Sequence, residues 1–93
     1  MPSVIMRAEV VYIGRVQGVG FRATAHHLAN EHSIAGWIRN EADGRVRLVA
    51  EADAESIDAF LIALQERMGR FITDEQITRS GETRGYAGFE IRC

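Results

Sequence analysis

The stretch "DAESIDAFLIALQERM" (Asp53–Met68) places Ile57, Phe60, Leu61, Leu64 and Met68 at i, i+3, i+4, i+7 and i+11. That spacing predicts a helix with one apolar stripe, which needs a surface to lie on. Asp53 is the expected N-cap and Gly69 the expected stop. A second helical pattern runs from Phe21 to His32, with Phe21, Ala25, Leu28 and Ala29 on one side. Between and around the two helices the period changes to two. "MRAEVVYIG" puts Ala8, Val10 and Tyr12 on one face, with Val11 and Ile13 on the other. "IAGWIRN" and "RVRLVAEA" read as strands joined by the turn "EADG", the second with Val46, Leu48 and Ala50 on one side. A weaker strand is expected around Asp74–Arg79, then the loop "GETRG", then a last strand in "YAGFEIR". The order is β-α-β-β-α-β with a short closing strand. It predicts an α+β fold, a two-layer sandwich with two helices on one face of an antiparallel sheet. At 93 residues, without repeats or linkers, residues 1–93 read as a single domain.

The first strand leaves through "IGRVQGVGFRA" (Ile13–Ala23), with Gly14, Gly18 and Gly20 ahead of the first helix. Glycines let a backbone approach a ligand closely, and a helix N-terminus presents unpaired N–H groups to an anion. Arg22 falls in that first turn, where its charge opposes the helix dipole. A bound phosphate reverses the conflict, because the guanidinium fork and the amides then hold the same anion. The bland alternative is a glycine turn beside a solvated arginine. The spacing is neither G-x-G-x-x-G nor a nucleotide phosphate loop, and the loop has no cysteine for a phosphocysteine route.

Composition removes other chemistries. All eleven basic residues are arginine, so Schiff-base and lysine-nucleophile mechanisms are excluded. The formal net charge of −2 argues against a nucleic-acid partner. The start, "MPSVIMRAEV", has no long apolar run, so neither a signal peptide nor a membrane span is expected. The single cysteine, Cys93, is the last residue of the sequence. A cytoplasmic monomer is the expectation. His26, His27 and His32 are poorly spaced for a shared metal, and no metal or other cofactor is expected.

"GRVQGVGFR" (Gly14–Arg22) resembles the first signature of acylphosphatases, and "GWIRNEADGRV" (Gly36–Val46) resembles their second. "FEIR" resembles their closing strand. The resemblance spans nearly the whole chain and implies a ferredoxin-like sandwich. It implies hydrolysis of small acyl phosphates to a carboxylate and inorganic phosphate, the latter also a competitive ligand. It further implies that Arg22 binds phosphate with a backbone cradle over Arg15, Val16, Gln17, Gly18, Val19, Gly20 and Phe21. Asn40 is then the residue that orients the attacking water. A carboxamide has no useful pKa, yet it can hold a water in line with phosphorus. A carboxylate leaves without protonation, so no general acid is needed. Ile38, Arg47, Ala52, Ser33 and Gly69-Arg70 depart from the usual family pattern. The alternative is a non-catalytic phosphate- or anion-binding module of the same fold. Thr24 stands one turn into the helix as a possible contact of Asn40, and Trp37 as a sheet residue or a flank of the substrate mouth.

Overall fold

The computed structural model describes residues 4–93; residues 1–3, the front of the N-terminal stretch read above, lie outside it. The elements are β1 (Ile5–Gly14), α1 (Phe21–Glu31), β2 (Ala35–Asn40), β3 (Val46–Asp53), α2 (Ala54–Met68), β4 (Ile72–Ser80) and β5 (Phe89–Arg92). They form a ferredoxin-like α+β sandwich: one sheet in the order β4-β1-β3-β2-β5 with both helices on one face. The first four strands pair antiparallel, as expected. The closing strand differs. β5 lies parallel to β2, with Ile38 opposite Ile91, so the sheet as a whole is mixed.

The alternation read in β1 holds. Ala8, Val10 and Tyr12 join Val46, Leu48 and Ala50 beneath the helices, where Ile57, Phe60 and Leu64 close the core. Full burial of such side chains contributes about 1.5–3 kcal/mol each, which fixes the helices on this face. Asp53 caps α2 as expected, accepting from the Ser56 N–H at 3.1 Å. Gly69 is not a left-handed stop. Its φ is −56°, and the chain continues through a 3₁₀ turn over Gly69–Phe71. β4 is longer than its weak pattern suggested, because as an edge strand most of its side chains face water.

"YAGFEIR" also needs correction. Only Phe89–Arg92 is strand. Residues 81–88 form a strap across the helix-free face of the sheet. It is tied down by Glu51, buried at 4% exposure, whose carboxylate accepts from Arg84 N–H (2.7 Å), Gly85 N–H (2.9 Å) and Arg7 Nη1 (3.2 Å). Trp37 Nε1 donates to Tyr86 Oη at 3.2 Å, while the Arg39 and Arg92 guanidinium carbons stand 5.0 and 4.8 Å from the Trp37 ring centre. Trp37 is thus a sheet-packing residue on the face opposite the helices.

Candidate functional site

The glycine loop is fixed at its entry by a close backbone approach. At Gly14 (φ +138°) a Cβ would lie 2.3 Å from Phe71 O and 2.7 Å from Thr73 N, so no side chain fits. The next amide, Arg15 N–H, donates to Phe71 O at 2.9 Å. Val16 is buried in the core. Gln17 Nε2 then donates to Glu41 O at 2.7 Å and Arg45 O at 3.0 Å, both carbonyls of the β2–β3 turn. These bonds tie the loop to the hairpin that carries Asn40. At Gly20 (φ +81°) the chain turns through the left-handed region into α1, with space beyond its Cα. Phe21 then anchors the helix start, its ring 4.9 Å from that of Tyr12.

Among the described residues, no side chain caps this helix, and no acidic residue occupies its first turn. Among the described residues, the N–H groups of Val16 through Gly20 have no hydrogen-bond acceptor. Arg22 adds its guanidinium to this concentration of donors. The result is a locally cationic surface without a carboxylate to neutralise it.

Asn40 ends β2 opposite Val46. Its parity with Ile38 turns it toward the helix side, at the end of the sheet where α1 begins. Its Oδ1 is buried and accepts no hydrogen bond from any described residue. Asn40, Gly18, Gly20 and Arg22 line one cavity of about 230 Å³, with Ile91 from β5 forming another part of the wall. Val16 and Phe21 reach it as well, whereas Arg15, Gln17 and Val19 do not line it. A larger, shallow hollow of about 510 Å³ lies on the helix-free face. It is a lattice of ion pairs: Arg47 with Glu9 and Glu41, Arg39 with Glu41, Arg45 with Asp43. None of the glycine-loop residues borders it. Its arginines are already engaged, so the smaller cavity is the better anion site.

Other candidate residues separate from this cavity. His27 pairs with Glu31 at 2.6 Å, and the rings of His26 and His32 stand beside Phe89 and Phe60. Among the described residues, no three His, Cys, Asp or Glu side chains converge as a metal site requires. No hydrogen bond joins Thr24 to Asn40. Cys93 is exposed. No helix among the described residues is long and apolar enough to cross a membrane.

The acylphosphatase family profile matches residues 8–91. The chain belongs to the acylphosphatase family. It is 36% identical over 88 residues to an acylphosphatase of Bacillus licheniformis, covering 94% of this chain and 98% of that one. It is 58% identical over 55 residues to that of Methylococcus capsulatus, a match spanning 59% of this chain and 60% of the relative. The solved acylphosphatase structure from Bacillus subtilis superposes with a TM-score of 0.86 at 31% identity, over 95% of this chain and 99% of that one. This chain is therefore an enzyme with acylphosphatase activity, and its substrates are small acyl phosphates.

Its departures from the common acylphosphatase pattern have structural accounts. Arg47 bridges Glu9 at 2.9 Å and Glu41 at 2.5 Å, bracing the residue that follows Asn40. Both partners raise its pKa, Glu41 first. Ile38 and Ala52 are buried in the core. Ser33 takes the left-handed position after α1 (φ 55°), and the Ile34 N–H closes back on Ala29 O at 2.8 Å. That is a Schellman ending with serine where glycine is unstrained. Sequence reasoning missed Gln17 as the tie between loop and hairpin, Glu51 as the anchor of the strap, and Ile91 as a cavity wall. Glu51 had a signal, a charge at a strand position between apolar neighbours. Gln17 and Ile91 had none apart from their places in the signatures.

Proposed function

We propose that the cavity is the active site, cleaving the carboxyl–phosphate bond by attack of a water on phosphorus, without a metal or a covalent intermediate. The observation that carries this reading is the orphaned Oδ1 of Asn40 in the same cavity as the open glycine loop and Arg22. A buried acceptor without a donor costs about 1–3 kcal/mol, so it calls for a ligand that donates. Unprotonated phosphate oxygens only accept. Water donates, and a water held by Oδ1 keeps a lone pair free for attack. Asn40 thus suits the nucleophile rather than the phosphate, which also disfavours a purely anion-binding module.

The phosphate belongs on the other wall. Arg22 binds two of its oxygens through the guanidinium fork, and free N–H groups of the loop take the remainder. The Arg15 N–H is already given to Phe71 O, so Arg15 frames the cradle and Val16 through Phe21 supply it. Charge on the equatorial oxygens grows as the bond to the carboxylate breaks, and these fixed donors stabilise it without reorganising. The carboxylate departs as an anion and needs no acid. Among the described residues, no Ser, Thr, Tyr, Cys, His, Asp or Glu side chain lines the cavity, which supports direct transfer to water.

Inorganic phosphate is then a product and a competitive ligand, and its binding stabilises the folded state. At about 100 times its dissociation constant the gain is about 2.7 kcal/mol. Arg22→Ala is expected to lose most of the phosphate-dependent melting shift. Arg22→Lys keeps the charge but not the fork and is expected to weaken both binding and turnover. An unchanged shift in Arg22→Ala would place the phosphate elsewhere.

A further inference from the structure

Ile91 is 44% exposed, although it lies on the helix-side face of β5 beside the buried Ile38. A single exposed isoleucine has no meaning by itself. This one, however, forms a wall of the cavity that holds Asn40 and Arg22, with the exposed Ala23 also at its margin. Among the described residues, Arg22 is the only charged side chain lining that cavity. Strand alternation turns the neighbouring Glu90 and Arg92 to the opposite face, where they pair at 2.8 Å. A phosphate held by the loop and Arg22 consumes the one cation. Whatever is attached to that phosphate leaves the cradle past an isoleucine and an alanine.

We infer that Ile91 is a specificity-determining residue that selects acyl phosphates with uncharged hydrocarbon acyl groups over those carrying a second anionic group. This rests on the active-site reading above and adds the substrate class to it. An aromatic or aliphatic acyl group covers the Ile91 side chain and removes apolar surface from water. A second carboxylate or phosphate on the acyl chain has no cation to meet here and loses hydration against Ile91. The side chain acts on the acyl portion only, so inorganic phosphate does not sense it.

The experiment compares kcat/KM for acetyl, benzoyl and succinyl phosphate in the wild type, Ile91→Ala and Ile91→Arg, with the inhibition constant of inorganic phosphate measured alongside. For Ile91→Ala, benzoyl phosphate is expected to lose about tenfold, the low end for apolar pocket contacts. Acetyl phosphate, too short to cover the wall, is expected to change less than about twofold, and phosphate inhibition to stay unchanged. Ile91→Arg is expected to raise succinyl phosphate relative to benzoyl phosphate. Because the side chain is partly exposed, both variants are expected to fold, and phosphate inhibition reports that they have. An equal loss on all three substrates, or an unmoved benzoyl-to-acetyl ratio, overturns the inference. If phosphate fails to compete even in the wild type, the active-site reading falls, and Ile91 with it. If phosphate competes normally and the ratio is unmoved, only the role of Ile91 falls.

Discussion

Replacing Asn40 with alanine separates two effects that usually move together. In the folded protein, Oδ1 is buried, and no described residue donates to it, which leaves it to water or a ligand. A water in the cavity satisfies that acceptor, so alanine removes no protein–protein hydrogen bond. The variant loses the packing of a short side chain, so the net change in stability is expected within about 1 kcal/mol of zero. For a chain of this size, 1 kcal/mol corresponds to about 4–8 °C in Tm. Asn40→Ala is therefore expected to melt within about 8 °C of the wild type. Turnover is expected to fall much further. Loss of one preorganised contact to the reacting atoms typically costs about 10²–10³ in kcat, or about 3–4 kcal/mol. Arg22 and the loop amides remain, so phosphate affinity is expected to stay within about twofold of wild type, as for a contact made only in the transition state.

The assay is release of phosphate from benzoyl phosphate at saturation, with calorimetry of the same samples with and without phosphate. The expected signature is a collapse of kcat, a Tm within about 8 °C of the wild type and a preserved phosphate shift. If Asn40→Ala keeps kcat and loses phosphate affinity, Asn40 is a phosphate ligand and the water assignment is wrong. If Tm falls by more than about 8 °C, the residue is a structural part of the hairpin and its loss of turnover says nothing about the water.

Three further outcomes follow from other parts of the molecule. Ser33→Gly is expected to raise stability by about 0.5 kcal/mol, because the left-handed backbone costs serine more than glycine's extra unfolded-state entropy costs the variant; a fall in Tm would show that serine is not strained there. Burial pushes the Glu51 carboxyl upward, but the Arg84 and Gly85 N–H groups and Arg7 outweigh it and hold its pKa below the ordinary glutamate range. With the folded value depressed, this stabilisation is fully present above about pH 4.3, the unfolded value, and is lost as pH falls through the lower folded value. Glu51→Gln is expected to lose about 2 kcal/mol at neutral pH and to flatten the acid limb, read through Trp37 fluorescence and melting, since Trp37 bonds the strap at Tyr86; an unchanged acid limb would assign it to other carboxylates. Exhaustive chelation is expected to leave phosphate release unaffected, and activity lost to EDTA and restored by Mg²⁺ or Zn²⁺ would end the metal-free mechanism.

The layering of the fold was legible because each element carried its own period. The stripe Ile57–Met68 and the alternation Ala8–Val10–Tyr12 require a helix on a sheet, and two such helices fix the two layers. β4 was under-read because an edge strand needs few apolar residues, and its hydrogen bonding to β1 leaves no mark on side-chain hydropathy. The strap was misread as strand for a related reason. Tyr86 looked like a strand residue, yet it serves Trp37 and the residue opposite the strap's own amides is Glu51. In the site, Arg22 and Asn40 stood out through the two signatures, and the chain brings both to one cavity. What the signatures do not display is the hardware between them. A glutamine whose amide spans two carbonyls is locally indistinguishable from a solvated one.

That hardware bears on how a glycine loop serves as a rigid cradle at all. Gly18 and Gly20 give the loop its shape and also its largest conformational entropy. A cradle whose amides wander gains nothing from being aimed at a transition state. Three restraints oppose that freedom. The Arg15 N–H and the tight passage of Gly14 weld the loop's entrance to Phe71 and Thr73. Phe21, against Tyr12, fixes its exit on the core. Gln17 holds its middle to Glu41 O and Arg45 O, the carbonyls that bracket the turn after Asn40. Glu41 is in turn held by Arg47, which is itself held by Glu9 on β1. The loop and Asn40 come from opposite sides of the cavity, but this chain of contacts makes them one body. On the mechanism proposed above, the distance between phosphorus and the attacking oxygen is then set by the sheet rather than by the loop.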